Sequence, residues 1–139
     1  MRLFFDTNIV VDVISKRVGY EDSLQLIKYC ELGKVVGFVS TTTVTDVMYI
    51  LRKHIMPSDV RSAVQTLLLI VDVESILKSD IVSAFSSDIK DFEDAVQSSC
   101  AERIIADYII TRNLKDFERS MVHAISPGEA LEIIESHQV

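Results

Sequence analysis

Glycine and proline are scarce in this chain, at 4 and 2 in 139 residues. That excludes long flexible linkers and Pro-rich disorder, and it predicts regular elements with short connections. No segment repeats at a fixed period and no tract is of low complexity, which excludes solenoids and polar tails. No apolar run approaches the roughly 18 to 20 residues of a membrane helix. No secretory leader is expected either, because Asp6 and Asp12 interrupt the apolar stretch that follows Arg2. Together these absences predict a cytoplasmic protein with no membrane partner.

Cysteine is equally sparse. Cys30 and Cys100 stand far apart and in no metal-like spacing. A disulfide scaffold is therefore excluded, and both thiols are expected reduced in the core. Positive charge is short as well: 14 Lys and Arg face 21 Asp and Glu, a formal net charge of -7. That balance disfavours a protein that grips nucleic acid through a broad basic face. It suits one that gathers carboxylates around a cation. There is no Gly-rich phosphate loop, and no Ser or Cys is set beside a base as a nucleophile.

What the chain does contain is apolar. Its hydrophobic fraction is 48% and its charged fraction 25%, which fits a single domain over residues 1–139 with one real core. Residues 2–5 read as a strand, and 8–16 as a helix with Ile9, Val10, Val13 and Ile14 on its apolar face. A second helix over 21–32 stops at Gly33. A strand is expected over 34–39 and a helix from 41 through 54. Pro57 then opens a helix over 58–69, followed by a strand over 70–73. Helices over 74–85 and 91–103 precede strands over 107–111 and 123–125. The run Ser126-Pro127-Gly128-Glu129 combines an N-cap Ser, Pro at the first helical position and Glu three residues after the cap, so the last helix begins at Pro127. Alternation of this kind predicts an α/β domain on a parallel sheet with right-handed crossovers.

Two strands end in unusual polar residues. The first runs into Asp6-Thr7-Asn8 and the fourth into Thr111-Arg112-Asn113, with Asp116 three residues on. In open α/β sheets ligands bind beyond the carboxyl ends of strands, where winding reverses. Strands one and four flanking that point would bring Asp6, Asn113 and Asp116 to one crevice. Asp46 and Asp94 lie on helices beside apolar neighbours, where a lone carboxylate is unfavourable without a cap, a cation or a metal. For each there is also a plain structural role. Asp6 could cap the first helix, Asp94 could favour its helix N-terminus, Asp46 could pair with Arg52 or Lys53, and Asp116 could be a turn residue. Asp91 reads as the cap of its helix, Glu93 as solvated, Asp12 as surface, and Asp107 as structural.

Four pieces, LFFDTNIVVDVI, TTTVTDVMYILRK, KDFEDAVQ and ADYIITRNLKDF, now carry a resemblance. The chain resembles a PIN-domain nuclease of the VapC toxin-like kind along nearly its whole length. That resemblance implies a three-layer fold with sheet order 3-2-1-4-5 and helices on both faces. It implies an acidic site for Mg²⁺ or Mn²⁺, with Asp6, Asp46, Asp94 and Asp116 catalytic and Asp6, Asp94 and Asp116 as metal ligands. Thr7, Asn8, Thr111 and Asn113 would orient them and bound water, while Arg112 and Lys115 would meet RNA phosphates. Further implications are an antitoxin partner and a homodimer. Two departures stand out: Asp46 where many members have Glu, and Asn113 where other branches have Asp.

The chemistry agrees with the resemblance. Mg²⁺ takes oxygen ligands and keeps several waters, and it activates water and polarises phosphate. The expected activity is hydrolysis of RNA phosphodiester bonds. One alternative is an inactive PIN-fold module that binds metal or RNA without cutting. Another is a receiver-like signalling domain, for which no phosphoacceptor Asp and Lys pair is evident.

Overall fold

Leu3, Phe4 and Phe5 are fully buried, and this explains the architecture. They belong to β1 (Arg2–Phe5), a strand with helices over both of its faces. Successive strand side chains point to opposite faces. Leu3 and Phe5 accordingly join one core and Phe4 the other. In a computed structural model describing residues 1–137, β1 is followed by α1 (Thr7–Ser15), α2 (Glu21–Glu31), β2 (Val36–Ser40), α3 (Thr41–Leu51) and α4 (Pro57–Leu68). Then come β3 (Asp72–Glu74), α5 (Lys78–Phe85), α6 (Phe92–Arg103), β4 (Tyr108–Ile110), a 3-10 turn (Leu114–Phe117), β5 (Ala124–Ile125) and α7 (Pro127–Ser136).

The sheet order is β3-β2-β1-β4-β5 and every pairing is parallel. This is the expected five-strand α/β arrangement. On one face Val10, Leu26, Val47, Val60 and Ile134, from α1, α2, α3, α4 and α7, pack against Phe5, Val39 and Ile110. On the other, Cys100 and Ala101 of α6 and its C-cap residue Ile104 pack on Phe4, Phe38 and Ile109. Burial on both faces is why β2 and β4 read as continuous apolar runs. Cys30 and Cys100 are free, buried and on opposite sides of the sheet. Gly37 lets α2 close on the sheet: a Cβ there would meet Cys30 Sγ and Phe5 Cε2 at 2.7 Å.

Several boundaries differ from expectation. Ile70 and Val71 close the last turn of α4, both donating to the Leu67 carbonyl, so β3 starts later, at Asp72. Glu74, expected to open α5, instead pairs with Ser40 at the end of β3. The α5 helix starts after Leu77, whose amide donates to Asp80 Oδ2 at 2.9 Å. The expected extension of α3 through His54 ends at Leu51. The last helix begins as expected: Ser126 Oγ accepts from the Glu129 amide at 3.1 Å, and Glu129 answers at 3.3 Å.

Candidate active site

β1 and β4 lie side by side at the centre of the sheet, and their carboxyl ends open into one crevice of about 430 Å³. Asp6 is seated there by its backbone, whose amide donates to the Ile110 carbonyl at 3.0 Å. It occupies the N-cap position of α1, yet its side chain makes no capping bond. Its Oδ2 accepts from Thr111 Oγ1 at 2.9 Å instead. The capping role is therefore not the one Asp6 performs. Burial pushes its carboxyl up, and the Thr111 and Thr7 hydrogen bonds only partly offset this. Asp116 raises it further by charge, while Arg112 lowers it.

The other carboxylates arrive from three more elements. Asp94, in the first turn of α6, donates its amide to Asp91 Oδ1 at 3.0 Å, so Asp91 is the cap as expected. Burial raises the Asp94 carboxyl to about 7, helped by the charges of Asp91, Asp6 and Asp116. Asp116 comes from the 3-10 turn, which is held by an Asp116 amide bond to the Asn113 carbonyl at 3.0 Å. Asn113 is itself fixed by its amide donating to Thr111 Oγ1. Asp46 projects from α3 and lines the crevice. No salt bridge to Arg52 or Lys53 forms among the described residues. Thr7, Asn8 and Asn113 line the same crevice.

Around these aspartates the structure adds to the sequence reading and at Asp12 corrects it. Glu93 is exposed, as expected, and it also lines the crevice. A hydrogen bond to Asp46, then burial, then the charges of Asp46, Asp91 and Asp94 raise it to about 7. Asp12, expected on the surface, is buried at 7% exposure. The half-exposed Arg112 reaches it with Nε 3.0 Å from Asp12 Oδ2, and Arg17 lies 3.7 Å from Oδ1. Lys115 lies outside the crevice, in an adjoining cleft.

Gln97 was not anticipated at all. It is 1% exposed and lines the crevice floor. Its Nε2 donates to Thr43 Oγ1 at 3.0 Å, and Thr43 Oγ1 lies 2.9 Å from Thr7 Oγ1. Its Oε1 has no partner. The available signal was spacing: Gln97 follows Asp94 by three residues and shares its helix face.

No Lys or Arg lines this crevice. Its carboxylates repel one another, with Arg112 acting on Asp6 from outside the lining, and this is a donor set whose chemistry suits a hard divalent cation. Among the described residues no group of three or more acidic, His or Cys side chains is placed so that it could hold a metal ion as it stands. The carboxylates border an open crevice instead, which leaves room for the waters that Mg²⁺ retains.

A parallel α/β sheet with an acidic crevice between its central strands defines the class. The family model described as PIN domain matches residues 2–115, and the chain belongs to the PIN-domain family. Its fold resembles that of VapBC2 from Rickettsia felis bound to a DNA fragment from their promoter. The TM-score is 0.72 at 18% identity, over 91% of this chain and 98% of that one. A toxin–antitoxin complex from Klebsiella pneumoniae matches with TM-score 0.68 at 23% identity, over 90% and 97%. VapC20 from Mycobacterium tuberculosis, described as a sarcin-ricin loop cleaving toxin, matches with TM-score 0.63 at 15% identity, over 77% and 86%. No curated protein matches the chain. No helix of the described residues is long and apolar enough to cross a membrane.

Proposed function

We propose that this chain is a metal-dependent endoribonuclease, the toxin of a toxin–antitoxin pair. One observation carries the reading: Asp6, Asp46, Asp94 and Asp116, from four separate elements, border one crevice without a lining cation. Asp6, Asp94 and Asp116 are the residues that would hold Mg²⁺ or Mn²⁺. When bound, the metal polarises the scissile phosphate and lowers the pKa of water. Thr111 fixes the Asp6 carboxylate, and Asn113 ties the Asp116 turn to the same hydroxyl. Asn8 and Asn113 offer neutral polar groups to water in the crevice. The Asp46 and Glu93 pair would take up the proton as the water oxygen bonds to phosphorus, and the ribose oxygen released when its bond to phosphorus breaks would take a proton from solvent. Glu93 offsets the shorter reach of Asp46.

Partner chemistry fits as well. An apolar groove of about 330 Å³, lined by Val10, Val13, Ile14, Leu24, Ile27 and Leu67, suits the apolar face of an antitoxin segment. Leu77, the N-cap of α5, and Ile81, Val82 and Phe85 on that helix are all exposed and support a homodimer. A cytoplasmic location agrees with an RNA substrate.

The test is cleavage of a structured RNA pool by the purified protein with Mn²⁺ or EDTA, beside Asp6→Asn. Metal-dependent products that disappear in the variant are expected. Metal binding by the wild type without any cleavage would favour the inactive PIN-fold module and sink the nuclease reading.

A further inference from the structure

We propose that the acidic crevice is the middle of a longer RNA track with unlike ends: a base platform on Tyr49 and a phosphate cleft at Lys90, Lys115 and Arg119. The inference rests on the nuclease reading of the crevice and gives its substrate a form, a single strand.

Tyr49 lines the crevice on the α3 side and is 64% exposed. The Arg52 guanidinium lies 3.6 Å from the ring centroid, and its Nη1 donates to the carbonyl of Tyr49 itself. Arg52 does not line the crevice. The guanidinium thus backs one face of the ring and leaves the crevice side open. An aromatic ring pinned from behind is preorganised to stack a base with little ordering cost. The cation at this end, Arg52, is held on the ring and outside the crevice lining, so what this end presents to the crevice is the aromatic face.

The opposite end differs. A second cleft of about 210 Å³ shares Asp91, Asp94 and Asp116 with the crevice as a common wall. Beyond that wall it is lined by Lys90, Lys115 and Arg119 against Asp88 and Glu118. None of these three cations forms a salt bridge among the described residues. In a chain of net charge -7, three cations without an ion-pair partner gather here beside five carboxylates, so any grip on phosphate comes from these individual side chains and not from the net charge of the cleft. Cations of this kind take backbone phosphates and read no sequence.

A strand crossing the carboxylates would therefore place a base on Tyr49 and its phosphates among Lys90, Lys115 and Arg119. Stacking on Tyr49 needs a base freed from its helix. Single-stranded RNA or an open loop meets that need, and a duplex does not.

The experiment measures binding by fluorescence anisotropy in Ca²⁺, an oxygen-seeking ion used so that the readout is independent of turnover. The probes are homopolymeric RNA strands of about ten nucleotides and an abasic ribose-phosphate strand of equal length. Wild type is expected to bind base-bearing strands roughly tenfold more tightly than the abasic one. Tyr49→Ala should erase that difference and Tyr49→Phe should keep it. Lys90→Gln with Arg119→Gln should weaken all strands alike and flatten the salt dependence by about 1.4 in the log–log slope, two phosphates' worth. Equal wild-type affinity for base-bearing and abasic strands, unaltered binding in Tyr49→Ala, or no binding at all overturns the platform. An unchanged salt slope overturns the phosphate cleft. The nuclease reading is scored separately: cleavage in Mn²⁺ without these signatures sinks the track alone, and these signatures without cleavage sink the nuclease alone.

Discussion

Asp94 carries two opposed demands. Its carboxyl sits among Asp91, Asp6 and Asp116 and is raised from 3.8 to about 7. Between those values the folded chain holds a proton that the unfolded chain has released. The metal-free protein should therefore lose stability as pH rises through that window. Glu93, raised from 4.5 to about 7, acts in the same direction. Thermal unfolding in EDTA across that range checks this. Asp94→Asn should flatten the slope and be the more stable protein above pH about 7, and an unchanged slope would mean the charges are already relieved. A second residue-scale prediction concerns Asp12, whose Oδ1 has no hydrogen-bond partner. Arg112→Leu strands that carboxylate with Arg17 at 3.7 Å, at an expected cost of about 1–2 kcal/mol by urea unfolding. Adding Asp12→Asn should recover part of it. The four aspartates of the site were legible because a carboxylate at a strand end or among apolar helix neighbours needs a reason. The Asp12 contact was not legible, since its partner lies 100 positions away. Glu93 and Gln97 were missed because one read as ordinary surface charge and the other as ordinary amide; only the neighbouring α3 gives them a place.

At the scale of elements, the chain was easiest to read where its chemistry is local. The Ser126 and Glu129 box, the Asp91 cap and the apolar strands follow from adjacent residues. The start of α5 did not, because Glu74 answers to Ser40 across the sheet and not to its own helix. The sheet order came from the family resemblance, not from periodicity. Two backbone positions yield predictions. Ile105, just past α6, is 78% exposed and held at φ 58°. A branched side chain is strained there, so Ile105→Gly should stabilise by about 0.5–1 kcal/mol, read as a higher denaturant midpoint. Gly37→Ala should do the reverse. Its Cβ would press Cys30 Sγ and Phe5 Cε2 at 2.7 Å, costing about 1–3 kcal/mol.

For the whole molecule, the crevice sets the terms of stability. A cation bound there stabilises only the folded state, by about 2.7 kcal/mol at a hundredfold excess over its dissociation constant. Mn²⁺ should accordingly raise the unfolding temperature by roughly 10 °C. The rise should be small in Asp6→Asn, measured by calorimetry with and without EDTA. A wild-type midpoint indifferent to Mn²⁺ would count against cation binding. The chain's negative charge is compatible with the proposed nuclease reading at this scale, since acidic groups concentrate in the crevice while Lys90, Lys115 and Arg119 line the cleft beside it.

Cys30 and Cys100 have a practical consequence. Both are buried, and burial pushes their thiols up to about 12 and about 11. Thiolate is the reactive form, so under native conditions neither should take a maleimide, while both should in denaturant. The sheet between them also bars a bond from one to the other. The natural chain is therefore a silent background for labelling. A single cysteine introduced on the exposed surface would carry a fluorophore or spin label alone, without first stripping the native pair from the core.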